Sequence, residues 1–143
     1  MYIITDMEKN NEDKRISAED YNFVKFNMEG SRYNPFISVG KSNRLGISQS
    51  FIDINSIGDK NSADLFFDKD KQAIGIVFKE GKSGKLVLNL LVRQGGYINA
   101  KGFFGLNRID PNKYSGRYHN IKKVPSPDGV IFVFELSEKN KTP

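Results

Sequence analysis

Two short apolar stretches that can be laid over one another constrain this chain more than any other feature. FIDINSIG at Phe51–Gly58 aligns with FFGLNRID at Phe103–Asp110, so that Phe51 matches Phe103, Ile54 matches Leu106, Asn55 matches Asn107 and Ile57 matches Ile109. Each stretch follows a strand, a basic turn and a second strand: FISV, GKSN and RLGI first, LNLLV, RQGG and YI second. Each precedes a hairpin whose second strand is apolar, AIGIVF or VIFVFEL. A unit unable to bury its own apolar face must pack on its twin. The expected fold is therefore α+β and mostly β. It is a small pseudo-twofold barrel of two strand–turn–strand–helix–hairpin halves, each covering edges the other leaves open.

Local signals fill in this plan. Ser48 stands where a helix N-cap belongs and Gly58 where that helix should stop. Asn99 is the matching N-cap of the second helix, and Pro111 lies beyond its end. Ala63–Phe67 and Ala73–Phe78 form a hairpin across DKDKQ, and Leu86–Val92 reads as one apolar strand. Arg117–Val124 and Val130–Leu136 form a last hairpin across PSPDG. Phe51, Phe66, Phe78, Phe103, Phe132 and Phe134 are assigned to the core. Upstream, Tyr2–Thr5 and Tyr21–Asn27 read as strands. Residues 1–18 read as a flexible leader, 19–137 as a single globular domain with its repeat at about 36–80 and 86–136, and 138–143 as a polar tail.

Several chemistries find no residues to carry them. The chain has no cysteine and one histidine, His119, which excludes thiolate zinc sites, iron–sulfur clusters, a cysteine nucleophile and a His-rich metal site. GKS at Gly81–Ser83 fails as a phosphate loop, because the glycine spacing is wrong and a strand follows instead of a helix. Asp68 and Asp70 have calcium-loop spacing without the glycine or distal glutamate such a loop needs. The sequon at Asn140 has no accompanying sign of secretion. His119 has no orienting carboxylate or nucleophile nearby in sequence. The expectation is a non-catalytic protein with no cofactor or metal. No apolar run approaches the ~20 residues that span a bilayer, and the first residues do not read as a secretory signal, so a cytoplasmic location is expected.

The segment from Arg44 to Phe78 resembles the swapped-hairpin domain of AbrB/MazE-type transcription factors. RLGIS, SFIDINSIGDK and ADLFFDKDKQAIGIVF stand where that family has a glycine–arginine strand, a short helix ending near a Gly-Asp turn, and a strand pair with acidic turn residues. Ser48 replaces the family's proline, and Phe51–Ile57 lacks its helical arginines. The resemblance implies a single-chain pseudo-dimer, the second copy supplying what the family takes from a second subunit. It also implies DNA binding and a role in transcription regulation.

Charge points the same way. The formal net charge is +5; residues 1–30 hold four basic groups against seven acidic ones, which leaves 18 against 10 in the remainder, a body of +8. A basic body favours polyanions. Lys41, Arg44, Arg93 and Lys101 flank the two basic turns and are expected to gather on one face. There they would reach phosphates, with Gly40, Gly95 and Gly96 allowing close backbone approach. A second basic–aromatic group, Arg117, Tyr118, Lys122 and Lys123 with Tyr114, suits stacking on unpaired bases. The expected function is nucleic-acid binding, with DNA as the partner. The alternative is a protein-interaction module (antitoxin-like, adaptor or phage-type inhibitor) that engages its partner through leader or tail.

Overall fold

The computed structural model describes residues 21–22 and 34–138. The chain divides into two compact units, Met1–Ser31 and Arg32–Pro143. In the first, Tyr21 and Asn22 are described, and both are exposed. The strands expected at Tyr2–Thr5 and Tyr21–Asn27, the start of the domain at residue 19 and the sequon at Asn140 fall wholly or mostly outside the described residues.

All the described elements belong to the second unit. They run β1 (Ile37–Gly40), β2 (Arg44–Ile47), α1 (Gln49–Ile54), β3 (Ser62–Asp68), β4 (Ala73–Lys79), β5 (Leu86–Val87), β6 (Asn89–Leu91), β7 (Gly95–Asn99), α2 (Lys101–Leu106), β8 (Gly116–Tyr118), β9 (Lys122–Ser126) and β10 (Gly129–Glu135). The strands form two antiparallel five-stranded sheets, in the orders β6-β7-β2-β1-β8 and β5-β3-β4-β10-β9. The protein is mostly β, as the sequence suggests, with two short helices among the described residues. It is not a closed barrel, because each sheet keeps two edge strands. The chain changes sheet three times: through α1 between β2 and β3, at Leu88, and between Tyr118 and Lys122. At the last two places no helix intervenes and ladder pairing simply breaks.

The break at Leu88 corrects the expectation of one continuous strand over Leu86–Val92. Leu88 is buried, and its N–H donates to Asn61 O (2.9 Å), not to either ladder. The break between Tyr118 and Lys122 divides the expected strand Arg117–Val124 into β8 and β9. Period-2 alternation sets the facing surfaces. Ile37, Val39, Leu45, Ile47 and Ile98 point inward from the first sheet, and Ala63, Ile74, Ile76, Phe78, Phe132 and Phe134 from the second. β4 is buried on both faces, which is why AIGIVF is apolar without alternation. Its outward Gly75 lies under neighbouring side chains; a Cβ there would stand 2.7 Å from Ile131 Cγ2.

The two aligned stretches adopt the same cap. Asn55 N and Nδ2 both donate to Phe51 O, and Asn107 N and Nδ2 both donate to Phe103 O. Ser56 and Arg108 follow at φ 54 and 56, and Ile57 and Ile109, both buried, donate back to Ile52 O and Phe104 O. Each helix sets its first phenylalanine against one from the other half's hairpin: Phe51 against Phe132 (5.1 Å between centroids) and Phe103 against Phe67 (6.3 Å).

Other details differ from the sequence reading. Ser48 does cap α1, accepting from Phe51 N (3.1 Å), but the helix closes on the left-handed Ser56 before it reaches Gly58. The N-cap of α2 is Ala100, which has no capping side chain, in place of Asn99. Ile54 and Leu106 point outward, and Phe66, expected in the core, is 43% exposed because it lies on the outer face of β3.

Candidate nucleic-acid interface

The first basic turn is built by Asn43, which takes φ 64 and donates its N–H to Gly40 O (3.1 Å). Asn43 O in turn accepts from Ala100 N (2.8 Å), which brings Lys101 beside the turn. Arg44 leaves the tip on the outer face of β2, and its guanidinium lies 4.2 Å above the ring of Tyr97 on β7. Lys41, Arg44 and Lys101 are all exposed. All three belong to the same end of the β2–β7 ladder.

The second turn is held from the opposite end. Gly95 N donates to Gln49 Oε1 (2.9 Å), and Gln49 Nε2 donates to Asp53 Oδ1 (2.9 Å), so one side chain ties the β6–β7 turn to α1. Arg93 takes φ 57 at this turn and lines a groove of about 440 Å³ with Phe36, Ser50 and Arg117. Arg117 on β8 sits across from Ser38 and lays its guanidinium 4.4 Å above Phe36. His119 meets the same ring edge-on at 5.8 Å, and its Nδ1 lies 3.2 Å from Pro35 O.

Strand geometry separates the two turns. β2 and β7 are antiparallel, with Arg44 opposite Asn99 at one end of the ladder and Ile47 opposite Gly96 at the other. The expectation that Lys41, Arg44, Arg93 and Lys101 gather together is corrected accordingly: Lys41, Arg44 and Lys101 lie at one end of the ladder, and Arg93 lies at the other, in the groove with Arg117. Gly95 and Gly96 do not open the backbone to a ligand. Both are buried, and a Cβ would run into Ile47 O at the first and come within 2.8 Å of Asn89 O at the second.

On the second sheet, Lys122 and Lys123 are exposed along the edge strand β9. Lys123 Nζ stands 6.0 Å from the centroid of Phe132, and Lys122 borders a shallow hollow with His119 and Glu135. Tyr118 is a correction. It is 4% exposed, its ring packs on Phe134 at 4.9 Å, and its hydroxyl donates to Tyr114 O (2.6 Å). Its parity on β8 turns it inward, opposite Ile37, so it offers no surface for stacking. Burial pushes its phenol above the ordinary value.

Acid–base pairing among the described residues bypasses these cations. Asp59 and Glu80 face Lys60, Asp64 faces Lys79 at 2.9 Å, and Glu138 faces Lys113 at 3.3 Å. The Lys79 ammonium and the Lys85 N–H hold the Asp64 carboxyl below the usual carboxylate range. Lys41, Arg44, Arg93, Lys101, Arg117, Lys122 and Lys123 make no ion pair with a described acid. Sequence reasoning missed Phe36, Gln49 and Ser50 in this region, since only the β1–β8 and β2–β7 registers bring them to the arginines. Among the described residues no group of three His, Asp or Glu is placed to hold a metal ion. No protein-family model, curated protein or solved structure matches the chain.

Proposed function

We propose that the protein is a non-catalytic nucleic-acid-binding module, with DNA as its partner, that engages phosphates through two basic clusters: Lys41, Arg44 and Lys101 at one end of the β2–β7 ladder, and Arg93 with Arg117 at the other, extended by Lys122 and Lys123. One observation carries the reading. The seven exposed cations are left uncompensated by the described acids, and Arg44, Arg117 and Lys123 stand over aromatic rings instead. A guanidinium on a ring keeps its outer face and its edge donors open to a base or a phosphate. Phosphate contacts of this kind release condensed counterions, so affinity falls with salt.

A pseudo-twofold relation of the halves belongs to the same reading. Exchanging β1 with β6, β2 with β7, β3 with β9 and β4 with β10 returns the inner strand orders β6-β7-β2-β1 and β3-β4-β10-β9 reversed, as a dyad requires. The shared helix caps support it further, and so does the likeness to the swapped-hairpin transcription factors. A dyad normal to the first sheet sends the two turns to opposite ends, each against the other half's helix.

The test is titration of a labelled oligonucleotide with the full chain across a salt series. Binding that weakens with salt, and weakens further in Arg117→Glu, is the expected result. No binding at low salt overturns the reading. The runner-up, a protein-interaction module, is favoured by the outer face of the second sheet, where Phe66 and Val124 are 43% and 42% exposed beside Ile131 and Val133. A stoichiometric protein partner that persists after nuclease treatment would support it.

A further inference from the structure

The outward faces of the two sheets differ in charge. Tyr118 turns inward, so Arg117 points outward, and the registers set Ser38, Gly46, Tyr97 and Asn89 beside it in one row across the first sheet. Arg44 stands on the same face two residues along β2, opposite Asn99. No Asp or Glu belongs to any of this sheet's five strands. The second sheet instead mixes Asp64 and Glu135 with Lys79 and Lys122 on its outer face. On the first, Arg44 lies 4.2 Å above the ring of Tyr97, and Arg117 lies 4.4 Å above that of Phe36, which precedes β1. Both arginines are exposed. Between them the face is low, because Gly46 has no side chain and the Ser38 hydroxyl lies in the space that a Cβ there would take.

We infer that the outer face of the first sheet receives a single strand, with unpaired bases turned toward the sheet and stacked on the Arg44 and Arg117 guanidiniums. The inference rests on the proposed nucleic-acid binding and narrows it to single strands. A guanidinium over a ring presents a planar cationic surface, and a flat heterocycle laid on it continues the stack. Such stacking tolerates every base, because every base has a π-face. The low floor at Ser38 and Gly46 leaves a ring room to lie against the sheet beside either stack. Lys41 and Lys101, exposed at the Arg44 end, reach the phosphates that flank it. A duplex has no use for this arrangement, because its bases are stacked on one another and show only their edges in the grooves. An acidic peptide would pair with the guanidinium edges and leave their faces uncovered.

The test titrates the full chain, at one low salt concentration, with a single strand of thymidines, an abasic strand of equal length and charge, a duplex of that length, and a glutamate peptide of the single strand's charge. The thymidine strand should bind about tenfold more tightly than the abasic strand. It should also bind more tightly than the duplex or the peptide. Tyr97→Leu, which keeps every cation, should narrow the gap between thymidine and abasic strands, and Phe66→Leu on the outer face of the second sheet should leave that gap in place. Equal affinity for thymidine and abasic strands, or a duplex bound as tightly as the thymidine strand, overturns the stacking face and leaves the broader phosphate-binding proposal standing. Absence of binding by all three nucleic acids overturns both. A peptide bound as tightly as the thymidine strand also overturns both, in favour of an acidic protein partner. Equal narrowing by Tyr97→Leu and Phe66→Leu overturns the stacking face in favour of a general effect on the fold. If Tyr97→Leu does not fold, the backbone amide resonances of Ser38 and Gly46 in the unaltered chain decide: ring-current shifts should appear with the thymidine strand and not with the abasic one, and their absence overturns the stacking face.

Discussion

Ser48 joins three segments through one hydroxyl. It accepts from Phe36 N (3.0 Å) and from Phe51 N (3.1 Å) and lies 3.2 Å from the Ser50 hydroxyl, while Ser48 N donates to Phe36 O (3.1 Å). A proline here would supply neither hydroxyl nor N–H. Ser48→Ala should lower stability by about 1–2 kcal/mol in urea denaturation, since a helix cap and a strand-end bond are lost together. Ser48→Pro should cost more, because the bond to Phe36 O goes as well. Glycines divide by what surrounds them. Gly95 sits at φ 78 against Ile47 O and Gln49 N, none of which can move without breaking the ladder, so Gly95→Ala should cost at least about 1–3 kcal/mol. Gly102 lies in α2 with open space where its Cβ would be. Gly102→Ala should stabilise by about 0.5–1 kcal/mol, and thermal denaturation of the two variants reads the opposite signs.

At the scale of elements, a short helix at each aligned stretch was legible from FIDINSIG and FFGLNRID, whereas its closure on Asn55 or Asn107, ahead of the expected stop at Gly58, was not. Which side of the helix turns inward was not legible, because the neighbouring sheet decides it. α1 buries Phe51 and Ile52, whereas α2 buries Phe104 and leaves Phe103 half-covered. One residue fewer separates the last inward side chain from the helix in the second copy: Ile47 precedes Gln49 by two positions, Ala100 precedes Lys101 by one. The cap position itself is the same in both copies, Ser48 in the first and Ala100 in the second, each one residue before its helix. Phe104→Ala should therefore cost about 3–5 kcal/mol, and Leu106→Ala, 85% exposed, should be near neutral by the same denaturation assay. Leu86–Val92 misleads for a related reason. LVLNLLV alternates correctly throughout, with Leu86, Leu88 and Leu90 inward, so no side-chain signal marks the point at which the backbone leaves one ladder for the other. Hydrogen-bond partners in antiparallel sheets come from distant sequence, and the positions of Phe36, Gln49 and Ser50 beside the arginines depended on them.

For the molecule as a whole, charge governs both stability and reach. The Asp64 carboxyl is held below its unfolded value near 3.8, so its contribution is present above that pH and is lost as pH falls through the lower folded value. The Tyr118 phenol is raised above its unfolded value near 10.0, so its contribution is present below that pH and is lost as pH climbs toward the higher folded value. Thermal midpoints measured across pH should decline at both extremes; Asp64→Asn should flatten the acid limb and Tyr118→Phe the alkaline limb. On the proposed function, the placement of Lys41, Arg44 and Lys101 at one end and of Arg93 and Arg117 at the other sets the length of polymer that can use them. β2 carries four residues from Arg44 to Ile47, and adding the flanking turns puts the two basic clusters on the order of 15–20 Å apart at ~3.4 Å per residue. A stacked strand advances ~3.4 Å per nucleotide, so about five nucleotides are needed to join the clusters. Oligonucleotides shorter than this should bind the unaltered chain and Arg44→Ala equally, held at Arg93 and Arg117. Longer ones should bind the unaltered chain more tightly, and Arg44→Ala should remove part of that gain and reduce the salt slope by about 0.7–0.9. If Arg44→Ala weakens strands of every length alike, the clusters do not act in series, and the tip at Lys41–Arg44 is itself the primary contact.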